Sequence, residues 1–256
     1  MDHALAYFVV GSPRSGSSLL VEALASTGVL GRPQEYFWRL QEPGLARRLG
    51  LPPPDDTNYE RYLAAARRDG ATPNGVFGAK LFWLHLQDLL GHTSHFAGLA
   101  GLEAHDRFRS VFGPDIRGVW LRRNCLRTAV SLWRAEVTGA WAEREGDPRA
   151  SVPEALDVWR VTTLHAEIHG SETGWPNFLE AARIPYLTLS YEQTAGDVGA
   201  AVAGVAAFLA VDMTDAARVG EPTLRRQADV VTEAFVEEWN ERTGGCPLCG
   251  TATAPV

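Results

Sequence analysis

An apolar run that leads directly into a glycine- and serine-rich turn constrains the fold more than any other feature of this sequence. Residues 4–10 are apolar without a break and include β-branched and aromatic members, which is typical of a strand buried on both faces of a parallel sheet. The turn at residues 11–18 follows at once, and apolar residues then recur at helical spacing until Gly28, which is placed to end a helix. The sequence therefore predicts a strand, a phosphate-type loop and a helix in immediate succession.

Two more pairs of strand and helix follow this first unit. Residues 116–121 and 184–190 have the composition of buried strands, and helical patterns follow them at residues 126–140 and 198–209. Alternation of strands and helices is typical of an α/β fold with a parallel sheet. We therefore predict a P-loop-like, three-layer α/β fold in which helices flank a central parallel β-sheet.

Segments rich in proline and glycine separate these units. Residues 52–56, 71–78 and 91–101 are expected to be surface loops or short insertions, which are natural places for a small-molecule pocket.

At 256 residues and 45% hydrophobic composition, the chain can bury one large core. We expect a single domain over residues 1–243 and a flexible C-terminal tail over residues 244–256.

The charge of the chain and its apolar runs limit the classes of partner. The formal net charge is -7 and the pI is about 5.5, so nucleic acid is not an expected partner, although a local basic pocket for an anion is compatible with these values. The first residues lack the cationic region of a signal peptide, and the longest apolar run, about residues 200–211, is too short to span a bilayer. We expect a cytoplasmic protein with no membrane partner.

Cysteine and histidine spacing gives no complete metal site. Cys125, Cys246 and Cys249 are too few for a disulfide framework, which agrees with a reducing compartment. The last two resemble half of a zinc ribbon, but a tetrahedral site needs four ligands and no second pair exists. His165 and His169 have the spacing to share a helical face, yet two ligands do not make a closed site. We expect no metal.

The turn at residues 11–18, GSPRSGSS, has the glycine spacing of a nucleotide P-loop but lacks its lysine. Ser17 occupies the place where that motif requires lysine. Backbone N–H groups and a helix N-terminus still form an anion cradle, yet the group that would reach a γ-phosphate is missing. Triphosphate chemistry is therefore disfavoured.

Arg14 supplies positive charge inside this turn. Its guanidinium can reach a phosphate and the bridging oxygen of a leaving group with two parallel hydrogen bonds, and Ser17 and Ser18 can add hydroxyl donors. The alternative is an ordinary Gly-Ser turn with a surface arginine. Because strand, glycines and helix fall in order, we favour the anion site.

Four segments carry a family resemblance: residues 12–18 (SPRSGSS), 33–37 (PQEYF), 72–81 (TPNGVFGAKL) and 225–229 (RRQAD). They resemble the bacterial PAPS-dependent sulfotransferases of the trehalose 2-sulfotransferase-like family, and the resemblance runs from about residue 6 to residue 242. It implies the donor 3′-phosphoadenosine 5′-phosphosulfate (PAPS), the product adenosine 3′,5′-bisphosphate (PAP), and transfer of a sulfuryl group to a hydroxyl of a small molecule. The resemblance alone favours a homodimer.

The resemblance implies two phosphate sites at one edge of the sheet. It assigns the 5′-phosphosulfate to Ser12, Arg14, Ser15, Gly16, Ser17 and Ser18. In the family, an arginine after a later strand and a serine eight or nine residues further on hold the 3′-phosphate, which implicates Ser131 with either Arg122 or Arg123. Arg226 and Gln227 match a C-terminal family motif that closes over the nucleotide. Without the resemblance, these arginines would be solvated caps or helix starts, and Ser131 a packed residue.

Transfer to an alcohol requires a base, because an alcohol is a poor nucleophile at neutral pH and a positioned base is worth about 10²–10⁴-fold. The resemblance assigns this role to Glu35, which follows the first helix. Without the resemblance, Glu35 would be interpreted as a solvated loop carboxylate. A histidine is the alternative base, but none of the histidines lies in a matching motif. Lys80 is the only lysine and lies in a matching segment. We expect it at a strand end, where an ammonium could orient the acceptor or balance charge on the sulfuryl group.

The sequence does not name the acceptor. The resemblance suggests trehalose or another hydroxylated sugar, but residues 39–69 and 85–109 do not visibly follow the trehalose enzyme, so a glycosylated or phenolic natural product stays an alternative. The competing functions are a P-loop-type small-molecule kinase and a noncatalytic nucleotide-binding protein. A kinase would need magnesium and a P-loop lysine, and Ser17 argues against it.

Overall fold

The structure is a computed structural model that describes residues 5–142, 144, 147, 151–213, 219–220 and 230–246. These residues contain four strands and ten helices. In chain order they are β1 (Ala6–Gly11), α1 (Ser17–Ser26), α2 (Glu42–Arg48), α3 (Tyr59–Gly70), β2 (Phe77–Phe82), α4 (Trp83–Thr93), α5 (Ala104–Phe112), β3 (Ile116–Arg122), α6 (Cys125–Thr138), α7 (Val158–Ala181), β4 (Tyr186–Ser190), α8 (Tyr191–Gly196), α9 (Val198–Leu209) and α10 (Val230–Thr243).

The strands form one parallel sheet in the order β2-β1-β3-β4. β1 pairs with β2 on one side and with β3 on the other, and β3 pairs with β4. The strand order therefore reverses at β1, and ligands of open α/β sheets bind at the carboxyl ends of the strands beside such a reversal. The predicted α/β fold with a central parallel sheet and flanking helices is confirmed.

Both faces of the sheet are buried under helices. Along β1, Phe8 and Val10 belong to a hydrophobic cluster with residues of α3, α4, α5 and α7, whereas Tyr7 and Val9 belong to a cluster with α1 and α9. Because successive side chains of a strand point to opposite faces, burial on both faces accounts for the unbroken apolar run at the start of the chain. A third cluster joins α6, α7 and α10.

Most predicted elements are present, with shifts at their ends. The helix predicted at residues 198–209 has the same bounds in the structure. The helix predicted at residues 126–140 ends earlier, because Gly139 adopts a left-handed conformation and terminates it. Of the loop predicted at residues 91–101, only the second part is loop, since α4 continues to Thr93.

The loop predicted at residues 71–78 contains the start of a strand that the sequence pattern did not reveal. All six residues of β2 are buried, although Gly78 and Lys80 interrupt its apolar pattern. The glycine is required by packing, because a Cβ at Gly78 would lie 2.9 Å from the ring of Tyr7. The prediction of a surface loop was wrong there, because neighbouring aromatic side chains cover these residues.

The long helix α7 anchors the carboxyl end of β1. It spans 24 residues and contains Pro176. Its Trp175 donates a hydrogen bond of 3.2 Å from Nε1 to the carbonyl oxygen of Gly11, the last residue of β1. The loop that follows β1 is thereby fixed from one face of the sheet.

The described residues test the predictions about the C-terminal tail and about membrane-spanning segments only in part. No helix in the described part of the chain is long and apolar enough to cross a membrane. The tail predicted at residues 244–256 lies outside the described residues from residue 247 onward. The boundary at residue 243 stays a prediction.

Candidate functional site

The loop between β1 and α1 has the backbone shape of an anion cradle. Arg14 and Gly16 both adopt left-handed conformations, with φ of 66° and 89°; this is uncommon for a residue with a side chain. Position 16 also needs glycine for space, since a Cβ there would lie 2.5 Å from Cδ2 of Tyr191. No described side chain caps the first amides of α1, and its first turn holds no acidic residue. These amides are therefore oriented to receive a negatively charged group.

The serines of this loop differ in burial and in partners. Ser12, Ser15 and Ser17 are buried, whereas Ser18 is exposed. The Oγ of Ser12 lies 2.9 Å from the Oγ of Ser171 on α7. The Oγ of Ser15 has no hydrogen-bond partner among the described residues. A buried hydroxyl without a partner costs about 1–3 kcal/mol, so Ser15 leaves a donor in the loop that the described residues do not use.

Two arginines and a serine from different elements meet at this loop. Arg14 donates from Nε to the Oγ of Ser131 on α6 over 3.2 Å, and it also contacts the carbonyl oxygen of Trp141. Arg123, just after β3, donates from Nη1 to the carbonyl oxygen of Arg14 over 2.8 Å. Its guanidinium lies 4.2 Å from the ring centroid of Tyr191. Two positive charges therefore converge beside the cradle.

The neighbouring arginine points to the opposite face of the sheet. Arg122 pairs with Glu172 on α7, with Nε 3.3 Å from Oε2, and its guanidinium lies 4.7 Å from the ring centroid of Trp120. Consecutive residues at a strand end face opposite ways, which separates the two arginines. Of the two candidates that the sequence left open, Arg123 is the one that hydrogen-bonds to the loop beside Ser131 within the described part of the chain.

Sequence reasoning missed Glu172. Only 9% of this residue is exposed, and burial raises the pKa of its carboxyl, while hydrogen bonds from Arg122 and Ser12 act in the opposite direction. Glu172 lies on the turn of α7 that also carries Ser171, so this helix contacts the phosphate-type loop through polar groups. No local motif marks the residue; only the packing of α7 against β1 brings it to the loop.

Glu35 and Lys80 form an ion pair on the other side of the loop. The Nζ of Lys80 lies 2.6 Å from Oε1 of Glu35 and donates to the Oγ of Ser18 over 3.2 Å. The backbone of Lys80 also donates to the carbonyl oxygen of Gln34 over 2.8 Å, which attaches the segment before Glu35 to β2. The lysine lies within β2, near its carboxyl end, and connects the candidate base to the cradle.

A buried histidine packs beside this ion pair. His85 is 3% exposed, stacks on Trp38 at 5.5 Å between ring centroids, and accepts a hydrogen bond at Nδ1 from the backbone of Phe82. Burial lowers the pKa of His85 to about 4, and the charge of Glu35 opposes this shift. The ring is therefore neutral at physiological pH and holds the segment after Glu35 in place. His85 is one of the histidines to which the sequence assigned no role.

Several residues that the sequence singled out lie elsewhere. Arg226 and Gln227 fall outside the described residues. His165 and His169 lie on α7, where the ring of His165 packs 5.5 Å from that of Trp239. Within the described part of the chain, no group of three or more histidine, cysteine, aspartate or glutamate residues could hold a metal ion.

An open cleft of about 390 Å³ lies beside Glu35. It is formed by the segment before α2 and by α2 itself. The predicted loops at residues 52–56, 71–78 and 91–101 do not line it. The lining residues are Gln34, Glu35, Leu40, Gln41, Gly44, Leu45 and Arg48.

Comparison with known proteins gives consistent matches. The family model of the Stf0 sulphotransferase matches residues 6–242. Trehalose 2-sulfotransferase of Mycolicibacterium smegmatis is 30% identical over 96% of this chain and 99% of its own length. Trehalose 2-sulfotransferase of Mycobacterium tuberculosis is 27% identical over 91% of this chain and 93% of its own length.

A solved structure shows the same fold at lower identity. The crystal structure of a sulfotransferase from Alicyclobacillus acidocaldarius has a TM-score of 0.50 and 17% identity, and the match covers 92% of each chain. At that identity, the likeness concerns the fold alone.

Proposed function

Because the chain belongs to the Stf0 sulphotransferase family, we propose that this sulfotransferase moves a sulfuryl group from PAPS to a hydroxyl of a small-molecule acceptor. Family membership supports the reaction class. The donor, the base and the acceptor are inferred from the arrangement of the chain's own residues.

The proposal that PAPS is the donor depends on one observation: Arg14, Arg123 and Ser131 converge beside the cradle. The loop amides, its serines and Arg14 bind the 5′-phosphosulfate, because a helix N-terminus and a guanidinium favour an anion at this position. Arg123 and Ser131 bind the 3′-phosphate in this proposal, since both contact Arg14. A nucleotide with phosphates at two ends fits two adjacent cationic groups.

Arg226 and Gln227 complete the donor site in this proposal. They match the family motif that closes over the nucleotide, and they lie shortly before α10 in the chain. Near its start, α10 is held to α6 by an ion pair, in which Nη2 of Arg127 lies 2.8 Å from Oε2 of Glu233. Because α6 carries Ser131, this pair brings the start of α10 to the helix that supplies the 3′-phosphate site.

Glu35 is the proposed base. One of its oxygens takes the proton of the acceptor hydroxyl as the acceptor oxygen bonds to sulfur. The bond between sulfur and the bridging oxygen breaks, and its electron pair stays on the phosphate of PAP, where Arg14 and the loop amides stabilise the charge. Lys80 contacts both Glu35 and Ser18, so it aligns the base with the donor.

The proposed acceptor is a hydroxylated sugar such as trehalose, or a glycosylated or phenolic natural product. The named activity of the two mycobacterial relatives supports the sugar. The open cleft beside Glu35 offers space for such a molecule.

Ligand-dependent stability tests the donor assignment. A ligand that binds the native state at about 100 times its Kd adds about 2.7 kcal/mol to the free energy of unfolding. We expect PAP to raise Tm more than ATP with magnesium, and more than adenosine 5′-monophosphate, which lacks the 3′-phosphate. Ser131→Ala should reduce the advantage of PAP over the monophosphate. Equal or greater stabilisation by ATP with magnesium would contradict the assignment and favour a kinase.

A further inference from the structure

Helix α7 brings a buried carboxyl to the start of the donor loop, residues 11–18, and the proposed mechanism does not use it. We propose that Glu172 is a positioning residue for the donor: it orients the hydroxyl of Ser12, and it takes up a proton from solvent when the anionic donor binds. This role rests on the proposed function, because PAPS and PAP are taken as the ligands of this loop.

The turn that carries Arg14 depends on Ser12. The backbone N–H of Ser15 donates to the carbonyl oxygen of Ser12 over 3.2 Å and closes the turn. Inside it, Arg14 has a φ of 66°, and a left-handed conformation costs a residue with a side chain about 1–2 kcal/mol. Ser12 is 2% exposed, and its Oγ lies 2.9 Å from the Oγ of Ser171 on α7. Support from α7 therefore holds a strained turn in the shape that presents Arg14 to the donor.

The hydroxyl of Ser12 has one hydrogen and two groups on α7 that can accept it. Ser171 uses its own hydrogen on the carbonyl oxygen of Ile168, over 2.8 Å, so its Oγ accepts from Ser12. The carboxylate of Glu172 is the second acceptor, and a hydrogen bond from Ser12 lowers the pKa of this carboxyl. A protonated Glu172 instead donates to Ser12 and leaves the hydrogen of Ser12 to Ser171. The charge of Glu172 thereby decides how the Ser12 hydroxyl is oriented.

Glu172 has a more exposed counter-charge than Glu35. The side chain of Lys80 is 8% exposed, and its Nζ lies 2.6 Å from Oε1 of Glu35. Arg122 approaches Glu172 to 3.3 Å, and 55% of its side chain is exposed, so water screens its charge. Burial consequently dominates and raises the pKa of the Glu172 carboxyl above its ordinary value of 4.5. This carboxyl is therefore ready to bind a proton when a further anion arrives.

In the described part of the chain, Arg122 at the end of β3 is the charged group that acts on the pKa of Glu172. Helices α4, α5, α6 and α10 contact α7 through aromatic rings or near its first turns: Trp83 of α4, Phe108 of α5, Glu136 of α6 with Arg160, and Trp239 of α10. The phosphates of the donor are the charges that change around Glu172 during the reaction, and negative charge near a buried carboxylate favours its protonated form. By linkage, protonation of Glu172 strengthens donor binding by the same factor.

Calorimetric titration with PAP tests proton uptake in the wild type, in Glu172→Gln and in the matched control Glu167→Gln. Glu167 is an exposed glutamate of the same helix. Because the pKa of Glu172 lies above 4.5 and PAP raises it further, the wild type should bind PAP more tightly as the pH falls from about 8 to about 5.5. This gain should be smaller by about three- to tenfold in Glu172→Gln, since the amide takes up no proton and one pKa unit corresponds to tenfold in Kd. Glu167→Gln should follow the wild type.

Other groups that titrate in this pH range do not affect the comparison. The phosphates of PAP have a second pKa of about 6, and His169 precedes Glu172 by three residues on α7. Both are present in all three measurements, so their contributions cancel in the difference between the wild type and each variant.

Turnover of PAPS and trehalose tests the positioning role. Glu172→Ala removes the group that orients Ser12, so we expect kcat to fall by about tenfold while KM for the acceptor changes by less than about threefold. Glu172→Gln still hydrogen-bonds to Ser12 and should retain most of kcat. The Tm of each variant shows that it is folded.

Two results would overturn the role of Glu172 and leave sulfuryl transfer intact. One is an equal pH dependence of the Kd for PAP in the wild type and Glu172→Gln, and the other is unchanged kcat in folded Glu172→Ala. Absence of PAP binding to the wild type would instead overturn the proposed donor.

Discussion

The proposed donor side and the proposed acceptor side of this site are built in different ways. The donor side takes Arg14, Arg123 and Ser131 from the segments that follow two neighbouring parallel strands, so its groups meet wherever the sheet forms. The proposed acceptor side takes Glu35 from a loop and one wall of its cleft from α2, a short helix that only tertiary packing holds in place. The comparison predicts that variants on one side change one half of the reaction and spare the other.

Glu35→Gln gives the largest expected effect and tests this separation from the acceptor side. The amide keeps the shape of the side chain but cannot take the acceptor proton, so kcat should fall by about 10²-fold or more. The Kd for PAP should stay within a few-fold of wild type, because the proposed donor ligands are Arg14, Arg123 and Ser131. Steady-state sulfation and calorimetric titration measure the two quantities. Near-normal turnover in the folded variant would move the base elsewhere, with the histidines next in line.

Arg123→Ala and Arg122→Ala test the donor side with two adjacent residues. A hydrogen bond to a charged group contributes about 1.5–3 kcal/mol, so loss of Arg123 should weaken PAP binding by about tenfold or more. Arg122 pairs with Glu172 on the other face of the sheet, and its loss should change the Kd by less than about threefold. Titration of both variants with PAP measures this. The reverse order would place the 3′-phosphate on the other face of β3.

His85→Gln tests the burial behind Glu35 through the pH dependence of stability rather than through the reaction. The pKa of His85 is about 4 in the folded state and 6.5 in its ordinary range, so the unfolded chain binds more protons between these values. The free energy of unfolding should therefore fall as the pH falls from 6.5 to 4, by on the order of 3 kcal/mol more in the wild type than in His85→Gln. Denaturant titrations across this pH range measure the difference. Glu42 and Glu172, whose pKa values burial raises, are present in both proteins and cancel. Equal pH dependence would show that His85 is exposed in solution.

The same contrast explains what the sequence could predict. The first strand, its loop and the following helix were predictable because they are contiguous and their apolar pattern is strong. Tyr191 supports the loop from the carboxyl end of β4, and its place directly after a predicted strand was a usable signal that sequence reasoning missed. The choice between Arg122 and Arg123 stayed open, because spacing does not fix which face a residue takes where a strand ends.

The acceptor side was harder to predict, because its elements have weak local signals. β2 contains a glycine and a lysine, and both are explained only by neighbours distant in the chain, Tyr7 and Glu35. The cleft depends on α2, a helix of seven residues that a buried glutamate and a tyrosine hold in place. Resemblance to the family named Glu35, but no pattern in the sequence located the cleft beside it.

Direct observation of the transferred group tests the central claim. The wild-type protein is incubated with PAPS and trehalose in the presence of a magnesium chelator, and in parallel with ATP, magnesium and trehalose, and the products are measured by mass spectrometry. We predict that trehalose gains one sulfuryl group while PAP forms, and that the ATP reaction gives no phosphorylated sugar. Phosphorylated trehalose from ATP, or no PAPS-dependent gain on trehalose or on any other sugar or phenol tested beside it, would contradict the proposed reaction.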